Sequence, residues 1–299
     1  MLEKMDSLSA QVIATAAQSA KSASGEQPQT LTRADVERVL RDARRRQENW
    51  ADRISGEDGD TGPAPRLDEL VQRDFLNKTA VQPDHAEKLL RLARKTQDRT
   101  DAWRCATALK AFNRAAGSRF ASATLDSYKV TLPEQRKVVD ALQVYRRDIK
   151  ARVVAGQGII LFGSAGTGKT HLISAMGKVA IEAGFSVEWE NGQDVFASFR
   201  DAIGGDRSES AIVHELVAPD VLILDDMLPP GGVLTEYQAS TLYRIVDARY
   251  RALKPTWTTM NVAGGDEAER GMGAQVVDRL RDGALTLFCN WLSYRKAKA

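Results

Sequence analysis

Apolar residues recur at helical spacing through the first third of the chain and in short unbroken runs through the remainder. Residues 11–20 are alanine-rich and weakly helical, and residues 22–28 (Ser-Ala-Ser-Gly-Glu-Gln-Pro) read as a linker. Thr32-Arg-Ala-Asp35 has the form of a capping box, and Val36, Val39, Leu40 and Ala43 follow at helical spacing, which predicts a helix to about Trp50. Its arginines, Arg38, Arg41, Arg44, Arg45 and Arg46, are interleaved with Glu37, Asp42 and Glu48, the pattern of a solvated face. Residues 55–65, rich in Gly, Pro and acid, read as a second linker. Helical patterns resume over residues 67–76, 83–95 and 100–115. None of them is strongly apolar on one face. This region is therefore expected to dock on another surface rather than to build a large core.

After Gly117 the pattern changes. A long helix over residues 132–154 leads into a strand at 158–162, a helix at 169–183 and a strand at 185–189. Helices follow within 193–203 and 208–216, then a strand at 221–225, a helix at 235–251, a strand at 256–261, a helix at 275–281 and a last strand at 285–290. Apolar runs that alternate with helices predict an α/β fold, a parallel sheet flanked by helices, preceded by an all-helical region.

The first strand ends at a motif of specific chemistry, Gly163-Ser164-Ala165-Gly166-Thr167-Gly168-Lys169-Thr170, and a helix begins there. This is the form of a phosphate-binding loop. Glycines let the backbone turn tightly and aim its N–H groups at phosphate oxygens, while Lys169 brings a charge for the β- and γ-phosphates. Thr170 offers a hydroxyl to Mg²⁺, and the helix adds its positive end. ATP and Mg²⁺ are the expected ligands. The run Val221-Leu-Ile-Leu-Asp225-Asp226 is a buried strand ending in two carboxylates. Asp225 is expected to hold Mg²⁺, through water, and Asp226 to orient or deprotonate the attacking water. Asn261, at the end of the next strand, stands where the AAA+ ATPases keep their first sensor. A turn-capping asparagine is the plain alternative.

Composition narrows the setting. The 299 residues suffice for one large domain with a smaller one attached, and 43% apolar with 27% charged residues is ordinary for a globular protein. A formal net charge of +2 is too small to argue for nucleic acid by itself. Cys105 and Cys289 lie far apart without metal-site spacing, so a reduced, cytoplasmic setting fits. The first twenty residues include Glu3, Lys4, Asp6 and Gln18, unlike a secretory core, and no run reaches membrane-spanning length. No membrane partner is expected.

Val277-Asp-Arg-Leu-Arg281, Asn290-Trp-Leu-Ser-Tyr-Arg295, Phe112-Asn-Arg-Ala-Ala-Gly117 and Leu125-Asp-Ser-Tyr-Lys-Val130 add specificity. Through them the chain from about 112 to 296 resembles the DnaC and IstB group of AAA+ ATPases, and within it the bacterial loaders of the replicative helicase. The resemblance implies an AAA+ ATPase domain over 112–299, preceded by a helicase-docking region over 1–111 with flexible linkers near 21–31 and 55–66. It makes Arg279 an arginine finger for a neighbouring subunit's ATP and Arg295 a second sensor, both placing charge against the transferred phosphoryl. The plain alternative is that Arg279 and Arg281 are helix-end charges paired with Asp278 and Asp282. It further implies an inserted helix within residues 193–216 that lines a single-strand DNA channel, with Arg200, Thr235 and Tyr237 as contacts. Phe196 and Phe199 suit core packing as well.

Two departures from the family pattern matter. Asp226 stands where most AAA+ members have Glu, so slow hydrolysis is expected, and Ile203 stands where the loaders have an aromatic near the DNA channel. The implied partners are a hexameric replicative helicase of the DnaB type, single-stranded DNA and further copies of the chain joined through the AAA+ domain. Two other readings stay open: a transposition helper of the IstB type, and a helicase-binding adaptor whose ATP site does not hydrolyse.

Overall fold

In the computed structural model, which describes residues 29–54, 64–203, 205–229 and 231–295, five short runs pair into one parallel sheet. The expected helix at 11–20, the linker at 22–28 and all but the last residues of the linker at 55–65 lie outside the described residues. The strands are β1 (Ile159–Phe162), β2 (Val187–Asn191), β3 (Val221–Asp225), β4 (Thr256–Met260) and β5 (Leu285–Phe288), in the spatial order β2-β3-β4-β1-β5. Every residue of β3 and β4 is buried, which is why β3 reads as a continuous apolar run rather than as an alternation. Phe162 pairs with Met260 on one side and with Phe288 on the other, so β1 ends between two neighbours. The loop after β1 therefore lies at the carboxyl edge of the sheet, where open α/β sheets bind ligands.

The chain divides into two compact units, Met1–Arg104 and Cys105–Ala299. The first contains α1 (Arg33–Ile54), α2 (Leu67–Val71), which continues as a wider helical turn through Leu76, and most of α3 (Pro83–Ala116). It has a small core of its own in which Val39, Leu67, Leu70, Val71, Leu89 and Ala93 are buried together. The expectation excluded only a large core: the apolar faces are narrow, but three of them meet in a small one. The separate helices expected at 83–95 and 100–115 are also one. No Gly or Pro interrupts them, the hydroxyls of Thr96 and Thr100 donate to the carbonyls of Leu92 and Thr96, and the buried Gln97 is bonded to Gln47, Leu67 and Asp101.

In the second unit, α4 (Pro133–Arg147) and α5 (Ile149–Val154) replace the single helix expected over 132–154. The break falls at Asp148, whose φ of −110° and ψ of 22° leave the helical region. Next come α6 (Lys169–Glu182), α7 (Gly192–Ala202), α8 (Glu209–Val217), α9 (Glu236–Arg251), α10 (Gly265–Met272) and α11 (Ala274–Arg281). Helix α10 has no counterpart in the sequence reading, because Gly264, Gly265, Gly271 and Gly273 mask a helix that buries only Ala268 and Met272 as side chains. On one face of the sheet Ile159, Leu161, Ile223 and Trp257 pack with Leu142, Tyr145, Leu172 and Met176. On the other, Ile160, Leu222, Leu224 and Met260 pack with Phe196, Phe199, Ile245 and Leu280. Phe196 and Phe199 are thus core residues.

Candidate nucleotide site

The loop between β1 and α6 borders a cavity of about 320 Å³, and Lys169, Thr170, Asp226, Asn261 and Arg295 all line it. Lys169 is 6% exposed, and its amine donates to the carbonyls of Gly163 (2.9 Å) and Ser164 (2.8 Å) and to Asn261 Oδ1 (2.8 Å). All three acceptors are neutral. Burial pushes its pKa below the ordinary lysine value. An almost buried ammonium with only neutral acceptors is a site prepared for an anion, so the loop fits a nucleotide phosphate.

Asn261 also donates through Nδ2 to Asp226 Oδ1 at 2.6 Å, so one amide joins the lysine to the second carboxylate. Asp226 has φ +50°, the left-handed region, which turns the chain sharply as it leaves β3. Asp225 is buried, and burial raises its pKa; hydrogen bonds from Thr259 and Thr170 oppose that shift. The Thr170 hydroxyl lies 3.1 Å from Asp225 Oδ1. A hydroxyl beside a carboxylate is the hard oxygen set that Mg²⁺ takes in nucleotide sites, so these two residues fit that ion.

Several contacts of the site carried no sequence signal. The Thr259 hydroxyl donates to Asp225 Oδ1 (2.6 Å) and accepts from the Asp226 N–H (2.9 Å), which ties the ends of β3 and β4 together. Tyr128 and Trp291 both donate to the Thr167 carbonyl, at 2.7 and 3.0 Å, and the Tyr294 N–H donates to the Gly166 carbonyl at 3.0 Å. The glycines are fixed by this packing as much as by ligand approach. A Cβ at Gly163 would fall 2.3 Å from the Cys289 carbonyl oxygen and one at Gly166 2.0 Å from Ser293 Oγ, and both residues have positive φ. The motifs around Tyr128 and Asn290–Arg295 hinted at importance but not at these contacts.

Arg279 does not line the cavity. It is 24% exposed as a side chain, its Nε donates to Asp247 Oδ1 at 2.9 Å, and its guanidinium sits 4.8 Å from the Tyr243 ring centroid and bonds the Tyr243 hydroxyl. Its partner is Asp247, not the Asp278 of the plain alternative. Arg200 is exposed near the end of α7. The Thr235 side chain caps α9 by accepting from the Gln238 N–H, and the Tyr237 hydroxyl donates to Glu209. None of these three lines the nucleotide cavity.

A parallel sheet in this order, a phosphate loop after β1, paired carboxylates at the end of β3 and an arginine returning from beyond β5 define a P-loop AAA+ ATP-binding protein. The family model described as IstB-like ATP binding protein matches residues 67–297, and the chain belongs to that family. The match begins well before residue 112, where the motif resemblance starts. Among relatives, the chain is 30% identical over 186 residues to the replicative helicase loader DnaC of Buchnera aphidicola subsp. Acyrthosiphon pisum (strain APS), across 59% of this chain and 71% of that protein. It is 30% identical over 151 residues to the insertion sequence IS21 putative ATP-binding protein of Pseudomonas aeruginosa, across 48% of this chain and 55% of that one. Among solved structures, the crystal structure of the DnaC helicase loader superposes with a TM-score of 0.51 at 23% identity, covering 58% of this chain and 99% of that one. That likeness supports the fold. Among the described residues, no helix is long and apolar enough to cross a membrane.

Proposed function

We propose that this chain is an ATP-dependent loader that places a hexameric replicative helicase of the DnaB type on single-stranded DNA. The observation that carries this reading is the convergence of the phosphate loop, Asp226, Asn261 and Arg295 on one cavity, in a chain that resembles DnaC over 186 residues. Lys169 and the loop N–H groups bind the triphosphate, Thr170 and Asp225 hold Mg²⁺, and Arg295 neutralises charge on the phosphoryl end. Bound Mg²⁺ would supply charge stabilisation on the phosphates. Asn261 holds Asp226 in place, and the short Asp226 side chain sets the water less closely than a glutamate would. Hydrolysis is then slow and acts as a timer for release rather than as a motor.

Arg279 serves a neighbouring subunit, which requires its bond to Asp247 to open on assembly. The helical first unit grips the helicase, and Arg200, Thr235 and Tyr237 contact the single strand. The proposed domain roles follow: residues 1–111 dock, and 112–299 bind and hydrolyse ATP. The test is capture of a purified DnaB-type helicase with ATP present. Full-length protein should form a stable complex and Lys169→Ala should not; equal capture by both would refute the ATP-dependent part.

A second reading rests on the family match itself and on the insertion-sequence relatives: a helper ATPase of a transposase acting on duplex DNA. Tight duplex binding, with no helicase capture in any nucleotide state, would favour it.

A further inference from the structure

The carbonyl of Thr167 receives two hydrogen bonds from residues far apart in sequence. Tyr128 comes from the segment before α4, and Trp291 from the segment after β5. Thr167 and the rings of Tyr128 and Trp291 are all buried, at 0%, 6% and 9% exposure, so each of these polar groups needs its partner. A carbonyl oxygen has two lone pairs, and here both are taken. One residue earlier, the Gly166 carbonyl is taken by the Tyr294 N–H.

A peptide unit is planar and trans, so its C=O and the N–H of the following residue point in opposite directions. Holding the Gly166 and Thr167 carbonyls in these bonds fixes the N–H groups of Thr167 and Gly168 on the opposite side of their peptide planes, in a loop whose Gly166, Gly168 and Lys169 line the cavity. Gly168 has φ +90°, and a Cβ there would lie 2.6 Å from Tyr128 Cε2. A residue able to turn so sharply, with no side chain to displace the tyrosine, completes the arrangement.

We propose that Tyr128 and Trp291 are a pair of positioning residues for nucleotide binding, which clamp the Thr167 carbonyl so that the Gly168 N–H is preset toward the phosphates. The proposal rests on the phosphate-loop reading and adds to it a source of preorganisation outside the loop. Without the clamp the 167–168 peptide is free to rotate, and binding must bear the cost of fixing it. Because two donors share one acceptor, losing either loosens the plane and losing both releases it.

The test compares full-length protein with Tyr128→Phe, Trp291→Phe and the double variant, each titrated with ADP and with AMP in buffer without Mg²⁺. The ratio of the AMP to the ADP dissociation constant isolates the second phosphate, so it is insensitive to the fraction of folded protein. Each single variant should lower that ratio by about twofold to fivefold, the size of one neutral hydrogen bond. The double variant should lower it by more than the product of the two. A ratio unchanged within about twofold in the double variant, or ADP and AMP weakened by the same factor, would overturn the proposal. Should Trp291→Phe fail to fold, Tyr128→Phe decides alone, since its ring is kept: the drop supports the clamp and an unchanged ratio removes it. Lys169→Ala in the same titration separates the two levels, because full ADP affinity in that variant would sink the phosphate-loop reading and the clamp with it.

Discussion

Replacing Thr259 by valine removes one hydroxyl and keeps the shape of the side chain. That hydroxyl, on a residue 2% exposed, donates to the buried Asp225 carboxylate at 2.6 Å and accepts from the Asp226 N–H at 2.9 Å. A hydrogen bond to a charged group contributes about 1.5–3 kcal/mol, and the freed Asp226 N–H is only part-buried and adds little, so Thr259→Val should destabilise the domain by about 2–3 kcal/mol. At about 2–4 °C per kcal/mol for a domain of this size, the melting temperature should fall by about 5–10 °C at pH 8. The pH dependence has a definite sign. Burial already raises the pKa of Asp225 and Thr259 opposes the rise, so the variant's carboxyl is pushed higher still. Protonation then relieves the strain in the variant first, and the deficit should shrink as pH falls from 8 to 5. Thr258→Val is the control: Thr258 is equally buried, but its hydroxyl has only a 3.5 Å contact with a carbonyl, and the loss should be under about 1 kcal/mol. Differential scanning calorimetry at the two pH values reads both. A Thr259→Val shift below about 2 °C, or an equal shift at both pH values, would refute the reasoning.

Two further outcomes are open to test. With Arg279 as the proposed finger, mixing Arg279→Ala, which keeps its phosphate loop, with Lys169→Ala, which keeps Arg279, should restore part of an ATPase activity that each lacks alone, a finger contributing about 10³ or more in rate. No recovery at any ratio, with co-assembly shown by cross-linking, would place Arg279 in its own subunit, where Asp247 already holds it. Glu190, half-buried on β2, has its pKa pushed up to about 7, chiefly by burial and then by Glu188 and Asp194. A carboxyl whose folded pKa lies above its ordinary 4.5 favours the folded state below pH 4.5 and loses that contribution as pH rises to 7. Glu190→Gln should therefore raise the melting temperature at pH 8 and leave it nearly unchanged at pH 4.5; a pH-independent effect would contradict the burial argument.

What the sequence made legible was contiguous or periodic. The phosphate loop is eight residues in a row, and β3 announces itself because four apolar residues run straight into Asp225 and Asp226. Asn261 and Arg295 were located by their place after a strand and in a motif, and the fold brings both to the cavity. Long-range hydrogen bonding left no trace of that kind. Thr259 looks like one more β-branched strand residue, and nothing local says that its hydroxyl ties two strand ends. Tyr128 and Trp291 lie 39 and 124 positions from the carbonyl they share. The continuity of α3 through Thr96 and Gln97 was hidden because polar residues on an inward face imitate a break until their partners are known. Strand β2 lies two residues later than expected, since the Phe185 N–H bonds back to the Ala180 carbonyl of α6 and Ser186 is tied to Asp220, so the ladder runs from Val187 to Asn191, level with Asp225.

The proposed function has ATP binding by this chain drive delivery of a replicative helicase to single-stranded DNA. The direct measurement is unwinding of a forked substrate on a single-stranded circle coated with single-strand-binding protein, where the helicase alone is excluded. With this protein and ATP, unwinding should begin, and with Lys169→Ala it should not. Unwinding that is equally fast without the protein, or that Lys169→Ala supports as well as the unmodified chain, would contradict the account.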